Sequence, residues 1–189
     1  MASKNNSSQN YETAAFAAGC FWGVQYVFDR IPGVVETIVG YINGNAKRFP
    51  NPTYELVCSD NTGYAEAVKV IFDPSKVSYK KLLEMFWKNH DPTTLNRQGA
   101  DTGEQYRSAI FYINVSQKDV AEKFIVKLGE DKIFDKKIVT EVVPLFKFYE
   151  AEDYHKEYYV KNSSAPYCEI VIAPKLEKLQ RKFESLLKH

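Results

Sequence analysis

The apolar residues of the N-terminal half change their spacing at Cys20. Before it, the small apolar run from Ala14 to Gly19 predicts a short buried strand. After it, apolar residues recur at helical spacing until Pro32 and Gly33 end the predicted helix. Cys20 therefore stands where a strand becomes a helix. Similar patterns predict further strands over 34–41, 64–72, 107–114 and 138–143, and further helices over 52–58, 78–89, 116–128 and 151–161.

The C-terminal pattern predicts one more strand and a last helix. Glu169–Ile172 reads as a short strand, and Pro174 begins an amphipathic helix. The apolar stripe of that helix consists of Leu176, Leu179, Phe183, Leu186 and Leu187. Because strands and helices alternate with short gaps, we expect one α+β domain, a two-layer sandwich of a mixed β-sheet and helices. The polar residues 1–12 predict a flexible N-terminal tail, and residues 13–189 form the domain.

Composition narrows the class of protein. The chain has 189 residues, 44% of them hydrophobic, and a formal net charge of +1. That apolar content excludes general disorder, and the balanced charge argues against binding nucleic acid through bulk basic charge. No apolar run approaches the ~18 residues of a membrane span, so we expect no membrane contact. The chain carries no cofactor motif and no metal-ligand spacing, so we expect no bound cofactor and no metal.

The chain has three cysteines, a small and odd number that does not suit a disulfide framework. We therefore expect a cytoplasmic protein, a monomer, whose cysteines are free or catalytic. Cys58 lies beside Leu56 and Val57 in a predicted helix, so we expect a core thiol there. Cys168 lies near the C-terminal helix, 148 residues beyond Cys20 (168 − 20), so only the fold could bring the two together.

Cys20 is the strongest candidate for a catalytic residue. A lone cysteine is more often buried and inert than reactive. Here the residue stands at a predicted helix start, where the helix dipole and free backbone N–H groups favour the thiolate. Gly19 and Gly23 leave open backbone on both sides of it, and Phe21 and Trp22 follow directly. These surroundings favour a reactive thiol.

Glu66 is the candidate partner for that thiol. It lies on the predicted strand over 64–72 and shares a face with Val68, Val70 and Phe72. Two interpretations stay open: an ordinary exposed strand carboxylate, or a buried carboxylic acid whose raised pKa keeps it protonated near neutral pH.

The pentapeptide Gly19-Cys20-Phe21-Trp22-Gly23 resembles the active-site signature of peptide methionine sulfoxide reductases of the A type. Further segments are similar to that family and follow in its order, from about Ala14 to Pro174. They are Gly40-Tyr41, Asn51 to Cys58, Thr62 to Val68, Phe86 to Pro92, Asn96 to Ser108 and Glu150 to His155.

The resemblance implies an enzyme that reduces methionine S-sulfoxide, free or in oxidised proteins, and so repairs those proteins. It implies that Cys20 attacks and becomes a sulfenic acid, while Glu66 donates the proton. It assigns substrate binding to Phe21, Trp22, Tyr41, Asp101 and Tyr106. Cys168 is the implied resolving cysteine, and thioredoxin or another thiol is the implied external reductant.

Two features depart from the family pattern. Many members carry a glycine-rich C-terminal stretch with a further cysteine, whereas here Cys168 precedes Glu169–Ile172 and a helix. A second recycling step is therefore absent. Tyr64 stands where the family commonly has histidine, and we expect it to alter packing beside Glu66.

Two other functions are compatible with these residue types. The first is an acyl-transfer enzyme that uses Cys20, Glu66 and Lys69, although alternation along the strand places Glu66 and Lys69 on opposite faces. The second is a non-enzymatic aromatic cage for methylated ammonium groups, built from Trp22, Tyr41 and Tyr106. A peroxiredoxin or thioredoxin function is disfavoured because no Cys-x-x-Cys pair is present.

Overall fold

The computed structural model describes residues 10–59 and 61–177. Its strands are β1 (Glu12–Ala18), β2 (Val34–Ile42), β3 (Ala65–Phe72), β4 (Arg97–Gln98), β5 (Asp101–Thr102), β6 (Ser108–Tyr112), β7 (Glu141–Pro144) and β8 (Phe148–Glu150). Its α-helices are α1 (Phe21–Asp29), α2 (Tyr54–Ser59), α3 (Tyr79–Asn89), α4 (Val115–Glu130) and α5 (Tyr158–Lys161). Short 3₁₀ turns cover Glu104–Tyr106 and Asp153–His155, and a π-helical turn covers Cys168–Ile172.

Six strands form one mixed sheet in the order β7-β6-β1-β3-β2-β8. The β6–β7 pair is parallel, and the other neighbours are antiparallel. Apolar side chains of α1, α3 and α4 share one core with one face of this sheet. The expected α+β sandwich with a mixed sheet is therefore confirmed.

Alternation along β1 divides the apolar residues between the two faces of the sheet. Ala14, Phe16 and Ala18 face the helices, whereas Ala15 and Ala17 belong to a smaller cluster on the other face. The ring of Phe16 stacks on rings from α1 and α3, with centroid distances of 5.0 and 5.4 Å. This stacking holds α1 in place over the centre of the sheet.

The middle of the sheet holds the strand that carries Glu66. β3 pairs with β1 on one side and with β2 on the other, and Glu66 is the register partner of Tyr41. Glu66 lies on the helix-facing side of β3, together with Val68 and Val70. The side chains of Glu66 and Tyr41 therefore lie beneath the first turn of α1.

The segment 151–161 differs from its prediction. A 3₁₀ turn covers Asp153–His155, and α5 covers only Tyr158–Lys161. Glu157 separates them with a φ of 55°, in the left-handed region that interrupts a helix. The predicted single helix is therefore wrong, because a left-handed residue breaks its hydrogen-bond ladder.

The predicted strand over Glu169–Ile172 is also wrong. Those residues form a π-helical turn in which the Ala173 N–H bonds to the carbonyl of Cys168, and helical structure covers 166–177. Cys168 and Ile172, four residues apart, are buried, whereas Ile170 is 75% exposed. This is helical spacing, and an apolar run this short does not distinguish a strand from a helix.

Smaller differences lie at element boundaries. The pattern Ser116–Asp119 predicts a capping box, but the cap of α4 is Asn114, whose side chain accepts from the Gln117 N–H at 2.9 Å. The strand predicted over 138–143 covers Glu141–Pro144 instead. The pattern did not predict β8 or the β4–β5 hairpin, because two- and three-residue strands carry too little periodicity.

The chain ends lie partly outside the described residues. β1 begins at Glu12, so the last residue of the predicted tail belongs to the sheet, and residues 1–9 are outside the description. The predicted C-terminal helix is confirmed over 174–177, where Leu176 is buried. Its further apolar positions, Leu179, Phe183, Leu186 and Leu187, lie outside the described residues. Over 10–59 and 61–177, no helix is long and apolar enough to cross a membrane.

Candidate active site

Cys20 lies at the predicted junction of strand and helix. It is the N-cap of α1, with φ −52° and ψ 122°, directly after the turn that ends β1. Gly19 makes that turn with φ +90°, and a Cβ there would lie 2.6 Å from Cγ of Gln98. Only glycine fits this position without strain, because both the backbone angle and the approach of Gln98 exclude a side chain.

The Cys20 sulfur is half-buried and surrounded by polar groups. Burial raises the pKa of Cys20 well above its ordinary value, and the nearby Glu66 carboxyl raises it further. Hydrogen bonds from the Tyr167 hydroxyl and the Trp22 backbone N–H oppose this effect but do not overcome it. Burial therefore works against the thiolate that the helix start favours, and the prediction of a reactive thiolate stays a prediction.

Glu66 is a buried acid rather than an exposed strand carboxylate, with only 1% of its surface exposed. Its Oε2 accepts a hydrogen bond from the backbone N–H of Phe21 at 3.1 Å. Burial raises the pKa of Glu66 to about 8, against the lowering effect of that hydrogen bond, and the charge of Asp101 adds to the rise. The side chain is therefore mainly protonated at neutral pH and able to donate a proton.

Trp22 forms one wall of the site and is fixed on two sides. Its ring stacks on Tyr158 with centroids 3.8 Å apart, and Tyr167 meets it edge-on at 5.7 Å. Its indole Nε1–H donates to Nδ1 of the fully buried His155 at 2.9 Å. Phe21 lies behind it, with ring centroids 6.4 Å apart. The two aromatic residues after Cys20 therefore form a fixed apolar surface.

Tyr41 and Tyr106 both lie near the acid. The hydroxyl of Tyr41 donates to Glu152 at 2.8 Å, and the same carboxylate accepts from the Tyr54 N–H at 2.9 Å. Partial burial works against the charge of Glu152, but these hydrogen bonds outweigh it and lower its pKa. Desolvation raises the pKa of Tyr106, and the charge of Glu66 adds to the rise. Both phenols therefore lie close enough to Glu66 to face a common ligand.

Asp101 and Tyr167 lie on the other side of Cys20. The Tyr167 hydroxyl donates to Oδ2 of Asp101 at 2.8 Å. Both residues line a cavity of about 900 Å³ that opens beside the Cys20 sulfur. Gln98 and Lys175 also line this cavity. The thiol is therefore reachable from a space large enough for an amino-acid side chain and its backbone.

A family model described as peptide methionine sulfoxide reductase matches residues 12–187. The chain belongs to that family. Peptide methionine sulfoxide reductase MsrA from Sulfolobus acidocaldarius is 52% identical over 172 residues, which cover 91% of this chain and 95% of that protein. Peptide methionine sulfoxide reductase MsrA 1 from Rhodopirellula baltica is 49% identical over 177 residues, which cover 94% of this chain and 90% of that protein. The structure of reduced Mxr1 from Saccharomyces cerevisiae superposes with a TM-score of 0.76 and 34% identity, covering 86% of this chain and 91% of that chain.

The structure of this methionine sulfoxide reductase brings most of the predicted site residues together. They are Cys20, Phe21, Trp22, Tyr41, Glu66, Asp101 and Tyr106. Sequence reasoning missed the residues that hold them in place, namely Tyr54, Glu152, Tyr158 and Tyr167, and it missed Lys175, which lines the cavity. The segment Glu150 to His155 was the available signal for Glu152, since it fits the family.

Cys168 is not among the groups that shift the pKa of Cys20. It is fully buried in the π-helical turn, and burial raises its pKa. Its neighbour in sequence, Tyr167, occupies the place beside the Cys20 sulfur. The resolving role of Cys168 stays a prediction, and it requires that the buried sulfur becomes accessible and that the two Cα atoms lie within about 7 Å of each other.

Cys58 is exposed, so the prediction of a core thiol is wrong. In α2 only Val57 is buried, and Cys58 lies at the edge of the site. Burial of the sulfur raises the pKa of Cys58, whereas hydrogen bonds with Tyr54 and Tyr106 lower it. A six-residue helix at the surface cannot bury two successive residues on one face.

His90 and Tyr64 are buried residues whose side chains make hydrogen bonds that support the fold. Nδ1 of His90 donates to the Phe86 carbonyl at 2.7 Å, and Nε2 accepts from Ser108 at 2.7 Å, while burial lowers the pKa of His90 to about 3. Tyr64 is fully buried and donates to the Phe49 carbonyl at 2.9 Å. Over the described ranges, no cluster of three or more His, Cys, Asp or Glu side chains suits a metal ion.

The geometry weakens both other functions considered for the sequence. Lys69 lies on the face of β3 opposite Glu66, with its ammonium 4.8 Å from the centre of the Phe148 ring, so an acyl-transfer triad does not form. A cation cage needs open aromatic faces. Here Tyr158 covers one face of Trp22, and the ring of Phe21 packs against that of Tyr41 with centroids 5.9 Å apart.

Proposed function

We propose that this reductase converts methionine S-sulfoxide, free or in oxidised proteins, to methionine, with Cys20 as nucleophile and Glu66 as proton donor. The single observation that carries the assignment is that both side chains meet at the first turn of α1. Cys20 caps the helix, and Glu66 accepts from its first N–H at 3.1 Å. A sulfoxide placed between them meets a nucleophile at its sulfur and an acid at its oxygen.

The first chemical step balances with these two groups alone. The Cys20 sulfur forms a bond to the sulfoxide sulfur while Glu66 gives its proton to the oxide oxygen. The hydroxyl then moves from the substrate sulfur to the Cys20 sulfur: the substrate S–O bond and the new S–S bond break, a Cys20 S–O bond forms, and methionine leaves with Cys20 as a sulfenic acid. The thiol proton of Cys20 restores Glu66 to its acid form. Cys20 is oxidised by two electrons, and the substrate sulfur is reduced by two.

The aromatic wall binds the substrate but does not distinguish it from product. A methyl group buried against Phe21 and Trp22 contributes about 0.8 kcal/mol. A sulfur–aromatic contact contributes about 0.3–1.5 kcal/mol. Methionine gains both contributions as well. Discrimination therefore falls to the hydrogen-bonding groups proposed around the oxide oxygen, Glu66, Tyr41 and Tyr106, since leaving a buried donor unpaired costs about 1–3 kcal/mol. Tyr41 has to turn its hydroxyl from Glu152 to reach that oxygen.

Asp101 is the proposed contact for the backbone amide of the substrate. Its Oδ2 already accepts from Tyr167, and its second oxygen can accept an N–H from the ligand. Asp101 lines the cavity beside Cys20, so a ligand bound there extends from the sulfur toward the carboxylate.

Regeneration is proposed to pass through Cys168. Its thiol would attack the Cys20 sulfenic acid, form a disulfide and release water. Because Cys168 is buried, the helical segment 166–177 must shift before this step. A dithiol such as thioredoxin then reduces the disulfide, a role supported by the structure of yeast Mxr1 in complex with Trx2. The cytoplasmic location and the monomeric state stay predictions.

Stoichiometry tests the proposal. Fully reduced protein is mixed with racemic methionine sulfoxide and no reductant, and methionine formed and thiols lost are counted. We expect one methionine and two lost thiols per chain, with only the S epimer consumed. One lost thiol per methionine would remove Cys168 from the mechanism. No methionine would contradict the proposed function.

A further inference from the structure

The cavity beside Cys20 contains a lysine that the reaction does not use. Lys175 lies in the helical segment 173–177, directly after the π-helical turn. Ile172 packs against the start of α1, where a Cβ on Gly23 would lie 3.4 Å from Cγ2 of Ile172. This packing brings Lys175 to the cavity that Cys20 and Asp101 also line.

The ammonium of Lys175 lacks a partner in the described part of the chain, where it makes no ion pair and no hydrogen bond. Burial lowers the pKa of Lys175, whereas the charges of Cys20 and Asp101 raise it. The ammonium is therefore close to both groups but bound to neither. A ligand carboxylate would replace solvent at this partly buried ammonium with a charge-assisted hydrogen bond.

The cavity thus presents opposite charges near the thiol. Asp101 supplies a carboxylate and Lys175 an ammonium, and Cys20 lines the same cavity. A free amino acid carries the complementary pair, an α-ammonium and an α-carboxylate on one carbon. A residue inside a peptide carries neither charge, so Lys175 has no equivalent partner there.

We propose that Lys175 binds the α-carboxylate of free methionine S-sulfoxide, while Asp101 binds its α-ammonium and the sulfoxide lies at Cys20. This inference rests on the proposed function and adds a specificity residue to it. Lys175 then favours free methionine sulfoxide, and the C-terminal residue of a peptide, over internal residues. The chemistry at the sulfur is unchanged between these substrates.

Two substrates separate this role from any effect of Lys175 on the thiol. One is free L-methionine S-sulfoxide, and the other is its N-acetyl, N-methylamide derivative, which has no charge. For Lys175→Gln we expect kcat/KM on the free amino acid to fall about 10- to 100-fold, the range of a hydrogen bond to a charged group. On the neutral derivative we expect a change within about twofold. Lys175→Arg keeps the charge and should recover most of the loss.

Lys123→Gln is the matched control. Lys123 is exposed on α4, and its substitution removes one positive charge away from the cavity. Its two kcat/KM values should equal those of the unmodified enzyme. The neutral derivative also reports whether Lys175→Gln folds correctly, because an intact site still reduces it.

The possible results are distinct. An equal loss on both substrates in Lys175→Gln would overturn the inference, because Lys175 would then act on Cys20 and not on the carboxylate. No loss on either substrate would also overturn it. If the unmodified enzyme reduced neither substrate, the proposed function itself would fail.

Discussion

Oε2 of Glu66 lies 3.1 Å from the backbone nitrogen of Phe21, so the acid also caps the helix that begins at the nucleophile. Cys20, the N-cap residue, makes no side-chain capping bond of its own. When Glu66 has given up its proton, the carboxylate keeps a backbone donor and the positive end of α1. The start of α1 therefore positions the Cys20 thiol and also stabilises the Glu66 carboxylate that remains after proton transfer.

Stability should depend on the titration of Glu66. Its pKa rises from 4.5 to about 8 in the fold, mainly through burial. A raised pKa means that the stability tied to the neutral form is complete below pH 4.5 and is lost as the pH rises to about 8. We expect Glu66→Gln, which is neutral at every pH, to lack this loss.

Urea unfolding between pH 4.5 and pH 8 measures this effect. The free energy of unfolding of the unmodified enzyme should fall relative to that of Glu66→Gln as the pH increases. If the free energy of unfolding changed with pH in the same way for both proteins, Glu66 would have the same pKa in the folded and unfolded chain. That result would contradict the effect of its burial.

His155 should act as a positioning residue for Trp22. His155→Ala leaves the indole N–H, which donates to His155 at 2.9 Å, without its partner. We expect the free energy of unfolding to fall by about 1–3 kcal/mol. We also expect KM for methionine sulfoxide to rise more than kcat falls, since the Trp22 wall binds the methyl group. His155→Gln restores an acceptor for the indole N–H, so its KM should lie between that of His155→Ala and that of the unmodified enzyme. An unchanged KM in His155→Ala would contradict the positioning role.

The Tyr167 hydroxyl should help ionise Cys20. It lies beside the sulfur and lowers the pKa of Cys20 against the effect of burial, and its proton, which Asp101 accepts in this structure, can turn to the thiolate. Tyr167→Phe keeps the ring against Trp22 but removes the hydroxyl, so the pKa of Cys20 rises further. We expect slower alkylation of Cys20 by iodoacetamide at pH 8.

The alkylation experiment needs a Cys58→Ser background, because Cys58 is exposed and would react as well. Tyr159→Phe is the control, since Tyr159 packs against Tyr26 instead of Cys20. If Tyr167→Phe is alkylated at the rate of that control, the hydroxyl does not stabilise the thiolate.

The sulfenic acid should persist when the resolving thiol is removed. In Cys168→Ser, one turnover without reductant should still yield one methionine per chain. The oxidised Cys20 should then remain reactive toward dimedone, whereas the unmodified enzyme proceeds to a disulfide. Cys58→Ser is the matched control and should form the disulfide normally. If Cys58→Ser retained the sulfenic acid instead, Cys58 would be the resolving residue.

The sequence predicts the centre of the site better than its surroundings. Alternation along β3 and the glycine-flanked pentapeptide are local signals, and they place Glu66 and Cys20 correctly. The raised pKa of Cys20 is different, because it depends on desolvation by residues that are distant in the sequence. A local sequence pattern can predict that Cys20 lies at a helix start, but it does not predict how deeply the folded chain buries that residue.

The C-terminal third shows where such patterns fail. The run Ile170–Ile172 is too short to separate a strand from a helix, so neither the π-helical turn nor the direction of Tyr167 was predicted. Lys175 lines the cavity and follows a turn whose Ile172 packs on Gly23. His155 and Glu152 likewise reach the site through irregular turns, which carry no periodicity.

The most direct test of the central claim is the single-turnover rate of Glu66→Gln with enzyme in excess over methionine sulfoxide. Glutamine has the same size and can accept the Phe21 N–H, so the start of α1 is preserved, but it cannot act as an acid. The account predicts that methionine formation slows by about 10²- to 10⁴-fold while the substrate still binds. A rate equal to that of the unmodified enzyme would contradict the assignment of Glu66 as the proton donor.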